Sequence, residues 1–379
     1  MKKTVFALVA FVAGSTAAGL SPAQEVVRIG HVAAMTGPVA HFGKDSENGV
    51  RMAIDALNAR GATIGGRKVK WVLAPEDDAG DPKQATAAAQ KLADARVNAV
   101  VGHETSGTTI PASKIYYDAG IPQITASSTN PKYTLQGFNT TFRVVANDIQ
   151  LGRALGRYAV KSMGAKRIAV IDDRTAYGQG LVTEFVNGLR QQGTNVVAKE
   201  FTNDKATDFS AILTRIRASN PDLVFFGGMN AVAGPMLRQM KQLGLNVKMM
   251  GGDGICSDEM HKLSGGTMAD GQVVCAEAGG VEAAGKAAMD NFRAAYRKRF
   301  GIDVQIIAPY SYDATMVLAE AMNKAGSSAP AKYLPALAKV RYKGVTGNIG
   351  FDAHGDILDG TITLYTFKGG HRTEIAVTK

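Results

Sequence analysis

The chain has 379 residues, 45% of them hydrophobic and 20% charged, with a formal net charge of +10 and two cysteines. That composition excludes a disordered chain, and the length exceeds what one compact core usually holds, so two domains are expected. The lysines and arginines are scattered among Asp and Glu, and the densest cluster is only Arg293, Arg297, Lys298 and Arg299. A solvated helix face explains this better than a nucleic-acid or membrane-binding surface.

Met1-Lys2-Lys3 is followed by the apolar run Val5 to Val12 and by small residues ending at Ser21-Pro22-Ala23. This is the layout of a secretory signal peptide over residues 1–23, cleaved near Ala23, and it predicts an exported protein. The apolar run falls short of the ~20 residues of a membrane span, and the cleavage region holds no cysteine for a lipid anchor. Removing Lys2 and Lys3 leaves a formal charge of about +8.

From Val26 short β-branched runs alternate with helical patterns. Strands are predicted at Val26 to Ala33, Lys68 to Pro75, Val97 to Gly102, Arg167 to Asp172, Asn195 to Phe201, Asp222 to Gly227 and Val247 to Gly252. Helices are predicted at Glu47 to Asn58, Pro82 to Ala93, Ile149 to Met163, Leu181 to Gln191 and Ala231 to Leu243. Such alternation gives an α/β protein with parallel sheets covered on both faces. It runs in two series, the second restarting at Arg167. Each opens with a strand and a loop carrying an aromatic-glycine pair, Phe42-Gly43 or Tyr177-Gly178. Two similar lobes follow, and ligands of open α/β sheets sit beyond the carboxyl ends of the strands.

Enzymatic motifs fail one by one. GPVAHFGKD separates its glycines by five residues where a phosphate loop needs four, and places Asp45 where a Mg²⁺-binding hydroxyl belongs. Gly178-Gln179-Gly180 lacks the third glycine of a dinucleotide fingerprint, and no nucleophile elbow occurs. The six histidines show no metal-ligand pair at helical spacing, so neither metal nor cofactor is expected. A triad of Ser106, His103 and a distant Asp can be assembled on paper, and an exported hydrolase is the disfavoured alternative.

Two loops rich in small hydroxyl residues follow strands, GHETSGTT around Ser106 and ASSTNP at Ser127-Ser128-Thr129. Hydroxyls and free N–H groups at a helix start form a clamp for a carboxylate, although ordinary N-capping uses the same residues. Asp253, between glycines in MGGDGI, is open to two readings: acceptor for an ammonium, or cap of the next helix. Cys256 and Cys275 lack the neighbours of a catalytic thiolate, and in an oxidising compartment a structural bridge between them is favoured over two free thiols.

At these residues the chain resembles the type I periplasmic solute-binding proteins of ABC transporters, in the leucine/isoleucine/valine-binding branch. The carrying segments are MTGPVAHFG, EDDAGDPKQA, VVGHETSGTTIPAS, SSTNP, DDRTAYGQG, FFGGMN and MGGDG, in the family's order from Gly30 to Gly254. PYSYDATMVLAEAM extends the match more loosely. The resemblance implies two Rossmann-like lobes joined by three crossovers, with residues 24–146 and 278–354 in the N-terminal lobe and 147–277 and 355–379 in the C-terminal lobe.

It further implies a monomeric, non-enzymatic receptor that closes on a free amino acid, branched-chain or otherwise hydrophobic, and delivers it to a membrane permease. Other small solutes and a sensing role are the alternatives. Ser106 and Thr129 would take the ligand carboxylate; Asp253 and the carbonyl of Ser127 would take its ammonium. Phe42, Tyr177, Met229 and Gly254 would line the side-chain pocket, with Tyr310 preferred over Ile307 as a further contact. The chain departs from the family at Glu104 and Thr105, which replace an apolar residue and a disulfide cysteine whose partner position is Gly80. It also has Asp253 for a glutamate, and Met229 and Phe42 for aromatic residues of different shape. Glu104 either faces the pocket or turns outward to solvent.

Overall fold

The computed structural model describes residues 24–378, so the signal peptide expected over residues 1–23 lies outside the described residues. Strand β1 (Glu25–Ala33) leads into α1 (Ala40–Ala59), the short β2 (Thr63–Ile64), β3 (Arg67–Asp77), α2 (Pro82–Asp94), β4 (Ala99–Gly102), α3 (Ser106–Asp118), β5 (Gln123–Thr125) and β6 (Thr141–Arg143). These strands form one sheet in the order β2-β3-β1-β4-β5-β6, parallel except for β2. Every residue of β4 and β5 is buried, as expected of central parallel strands covered by helices on both sides.

The chain then crosses over through α4 (Asp148–Lys161) into β7 (Ile168–Asp172), α5 (Ala176–Arg190), β8 (Val196–Phe201), α6 (Ser210–Ala218), β9 (Leu223–Gly227), α7 (Asn230–Gln242), β10 (Lys248–Gly251), α8 (Glu259–Leu263) and β11 (Val273–Glu277). Helices α9 (Lys286–Phe300), α10 (Ala308–Ala325) and α11 (Pro330–Ala338) and the hairpin β12 (Tyr342–Gly344) and β13 (Gly347–Ile349) follow. Of these, α10 packs on α1 beside the first sheet. A last crossover brings β14 (Ile362–Lys368) and β15 (His371–Thr378) to the second sheet, whose order is β15-β14-β11-β10-β9-β7-β8. Its core is parallel, but β14 and β15 join antiparallel at the edge, a feature the β-α periodicity does not anticipate.

The segment between β6 and α4 is anchored by Arg143, fully buried, whose guanidinium donates to Asp356 Oδ1 at 2.8 Å and to the carbonyls of Ser128 at 2.8 Å and Asn130 at 3.1 Å. Asn147 donates to the other oxygen of Asp356 at 2.9 Å, so the first and last crossovers meet at one carboxylate. Where α4 crosses α5 a side chain at Gly156 would come within 2.8 Å of the Phe185 carbonyl. Cys256 and Cys275 are joined in a disulfide that ties the loop after β10 to β11.

Two sequence expectations shift. Phe42-Gly43 and Tyr177-Gly178 do not sit in loops; both lie in the first turns of helices, α1 and α5. The reason for the early start of α1 lies outside its own sequence. Asp45 accepts the N–H groups of Gln305, Ile306, Ile307 and Ala308 at 2.7–3.1 Å, capping α10 and fixing α1 against it. Asp45 is therefore a structural cap.

Candidate functional site

A cavity lies between the carboxyl edges of the two sheets. The first sheet contributes the start of α3 and the loop after β5. Thr105 is the N-cap residue of α3, yet its side chain makes no capping bond, and Ser106 is already helical. Ordinary N-capping is thus not the role of Ser106. Its Oγ receives the Ser128 hydroxyl at 3.2 Å and the Asn130 N–H at 3.2 Å, which hold the two hydroxyl-rich loops side by side. Ser127 Oγ donates to the Glu104 carbonyl at 2.7 Å. The result is a cradle of hydroxyls at the positive end of a helix dipole.

Across the cavity Asp253 opens a short 3₁₀ turn without capping a helix. Tyr177, from α5, donates its hydroxyl to Asp253 Oδ1 at 2.9 Å and accepts the Gly254 N–H at 3.0 Å. Burial pushes the Asp253 carboxyl up to about 6, restrained by the Tyr177 hydroxyl and raised further by the charge of Glu277. A side chain at Gly254 would meet the Gly228 carbonyl at 2.7 Å and Met229 Sδ at 2.8 Å, so only glycine keeps this wall close to the ligand space.

Phe42, Glu104, Ser106, Ser127, Tyr177, Met229, Asp253, Gly254 and Tyr310 all line the cavity. Thr129 does not: it is fully buried and absent from the lining, where its neighbour Ser128 stands instead. Two-residue spacing from Ser127 points a side chain the right way only in an extended strand, and here the chain turns after β5, with Ser128 N–H bonded back to Thr125 Oγ1 at 3.0 Å. Ile307 and Tyr310 both line the cavity, so the choice between them disappears. Tyr310 donates to Glu277 Oε1 at 2.7 Å. Glu277, at the end of β11, is a lining carboxylate that motif reading missed. Its signal is the one used for Asp253, an acid at the carboxyl end of an apolar strand.

Glu104 faces the cavity and not solvent: it is 5% exposed and lines the wall. Neither of its oxygens has a well-formed hydrogen bond among the described residues. Burial first, then the charge of Asp78, push its carboxyl well above the usual range. The paper triad does not form either. His103 bonds Asp78 Oδ2 at 2.7 Å and Tyr116 Oη at 3.0 Å, while Ser106 is engaged with Ser128 and Asn130.

Contacts bridge the cleft beside the cavity. Asn130 donates to the Ala176 carbonyl at 2.6 Å, and Asn230 Nδ2 lies 3.1 Å from His41 Nε2. The two lobes therefore meet on both sides of the site.

The periplasmic binding protein family model matches residues 26–372. The chain is 34% identical over 359 residues to the leucine-, isoleucine-, valine-, threonine- and alanine-binding protein of Pseudomonas aeruginosa, covering 94% of each chain. It is 38% identical to an amino acid binding protein of the same organism, with 93% of each chain covered. Among solved structures it is similar to the leucine binding protein LivK of Thermotoga maritima, with a TM-score of 0.83 and 28% identity over 93% of this chain and 98% of that one. It is also similar to LivJ of Streptococcus pneumoniae in complex with isoleucine, with a TM-score of 0.83 and 25% identity over 93% of this chain and 99% of that one. With the cleft between two α/β lobes and the match across nearly the whole described chain, this protein belongs to the periplasmic binding protein family, among the substrate-binding proteins of ABC transporters.

Proposed function

We propose that the protein is the periplasmic receptor of an ABC importer and binds a free α-amino acid between its lobes. One observation carries the reading. A hydroxyl cradle at the N-terminus of α3 faces, across one cavity, a carboxylate oriented by Tyr177. These are complementary to the α-carboxylate and the α-ammonium of a zwitterion.

In this reading the Ser106 hydroxyl and the backbone N–H groups at the start of α3 hold the carboxylate, Ser127 and Ser128 hold that loop in place, Asp253 holds the ammonium, and Phe42, Met229 and Ile307 pack on the side chain. Lobes built from residues 24–146 with 278–354 and from 147–277 with 355–379 close on the ligand, whose binding energy shifts an open-closed equilibrium. A permease would then read the closed shape of the monomer, and no bond is made or broken. The relatives' ligands, leucine, isoleucine and valine among them, support an amino acid and a side chain with an aliphatic stem.

Calorimetry with free amino acids and their blocked derivatives tests this. Binding should require both charged ends, so N-acetylation or amidation of a bound amino acid should weaken it by about a hundredfold or more. Equal binding of the blocked compounds would refute the zwitterion clamp.

A further inference from the structure

Three acids line the cavity, Glu104, Asp253 and Glu277, and no Lys, Arg or His does among the described residues. Two of the three have partners. Asp253 is held by Tyr177, and Glu277 by the Tyr310 hydroxyl at 2.7 Å and the Arg372 guanidinium at 3.4 Å. Glu104 has no side-chain partner: it is only 5% exposed, neither oxygen has a hydrogen bond of standard geometry, and only the backbone N–H of Ala34 lies against its carboxyl. A buried carboxyl left in that condition is rare and calls for an explanation.

Its backbone cannot readily swing away. The Glu104 carbonyl receives Ser127 Oγ at 2.7 Å, and the preceding His103 carbonyl receives both Thr109 Oγ1 at 3.1 Å and Thr125 Oγ1 at 2.9 Å. The side chain thus stands aimed into the cavity on a pinned peptide. The surrounding charge has one sign: Asp78 and Asp45 both add negative potential at Glu104. Asp45 is occupied by four backbone N–H groups and Asp78 by His103, so neither supplies a proton donor to it.

We propose that the ligand is an α-amino acid with a cationic side chain, whose terminal ammonium or guanidinium pairs with Glu104. This rests on the zwitterion clamp proposed above and names the substrate class for the same site. The aliphatic stem runs along Phe42, Ile306 and Ile307, and the charged tip gives Glu104 the side-chain partner that leucine would not supply. A site with such a buried acceptor rejects an isosteric ligand lacking the donor, so Glu104 sets specificity by exclusion as much as by attraction.

The test is calorimetric titration of the full mature chain with lysine, ornithine, arginine, leucine, isoleucine, valine, glutamine and threonine, on wild type, Glu104→Leu and Glu104→Gln. Thermal melting of each variant establishes that it is folded. Wild type should bind at least one basic amino acid about tenfold or more tighter than leucine. Glu104→Leu should lose about a hundredfold or more for the basic ligand and gain for leucine, with Glu104→Gln between them. Preference of wild type for leucine, isoleucine or valine, or for the uncharged polar pair, overturns this inference and leaves the amino-acid receptor standing. Failure of every amino acid to bind overturns the receptor reading itself, and this inference with it.

Discussion

The Tyr177 hydroxyl donates to Asp253 Oδ1 at 2.9 Å while taking the Gly254 N–H at 3.0 Å, so the phenol fixes the direction of the carboxylate. In the proposed zwitterion clamp the ammonium would meet an oriented acceptor. Asp253→Ala should therefore weaken amino-acid binding by about 3–5 kcal/mol, the cost of leaving a buried charge unpaired. Tyr177→Phe, which keeps the ring but not the proton, should cost about 1.5–3 kcal/mol. Calorimetric affinities unchanged in Asp253→Ala would remove this carboxylate from the site.

The same carboxyl makes binding depend on pH. Burial, with the charge of Glu277 beside it, pushes Asp253 up to about 6, with Tyr177 holding it back. The α-ammonium stays protonated below pH 8 and needs the ionised acid, so affinity should be lost as pH falls through 6. Between pH 8 and pH 5 the dissociation constant should rise by up to about tenfold. A flat titration across that interval would mean that the ammonium does not pair with Asp253.

Arg143 is the residue that holds the cradle in place. It is fully buried, ion-paired with Asp356, and hydrogen-bonded to the Ser128 and Asn130 carbonyls. Arg143→Met should leave Asp356 without its main partner and destabilise the fold by about 3–5 kcal/mol. Urea denaturation would measure the loss, and a midpoint equal to wild type would contradict the role.

The disulfide contributes differently. Cys256 and Cys275 enclose a loop with a sequence separation of 19, for which chain entropy predicts about 3 kcal/mol of stabilisation. The Cys256→Ala/Cys275→Ala double variant should unfold at correspondingly lower urea. Equal stability of the reduced and oxidised protein would show that the loop is already held by its packing.

Much of this was visible in the amino-acid order. Continuous apolar runs such as IAVID and LVFFG read as buried parallel strands because they are buried on both faces. The hydroxyl-rich loops and Asp253 read as site residues because they follow such strands, and sheet edges are where ligands gather. Other features carried no local signal. The antiparallel β14 and β15 complete the second sheet after a return crossover, so their partners are far away in sequence. The early start of α1 depends on Asp45 meeting the N-terminus of α10 some 260 residues later.

The sequence by itself determined most strands of the two parallel cores and the two-lobed α/β plan, because periodicity is a local property, while Phe42, Tyr177, Met229, Gly254 and Tyr310 were placed on the wall only through the resemblance to the family. Only the tertiary structure decided which way individual side chains point. Thr129 is fully buried and off the lining, while Glu277 lies on the wall at the end of β11. Glu104 was legible as a departure, but not as a group facing inward. Its peptide is held by the Ser127 hydroxyl on its carbonyl, a contact between loops 23 residues apart.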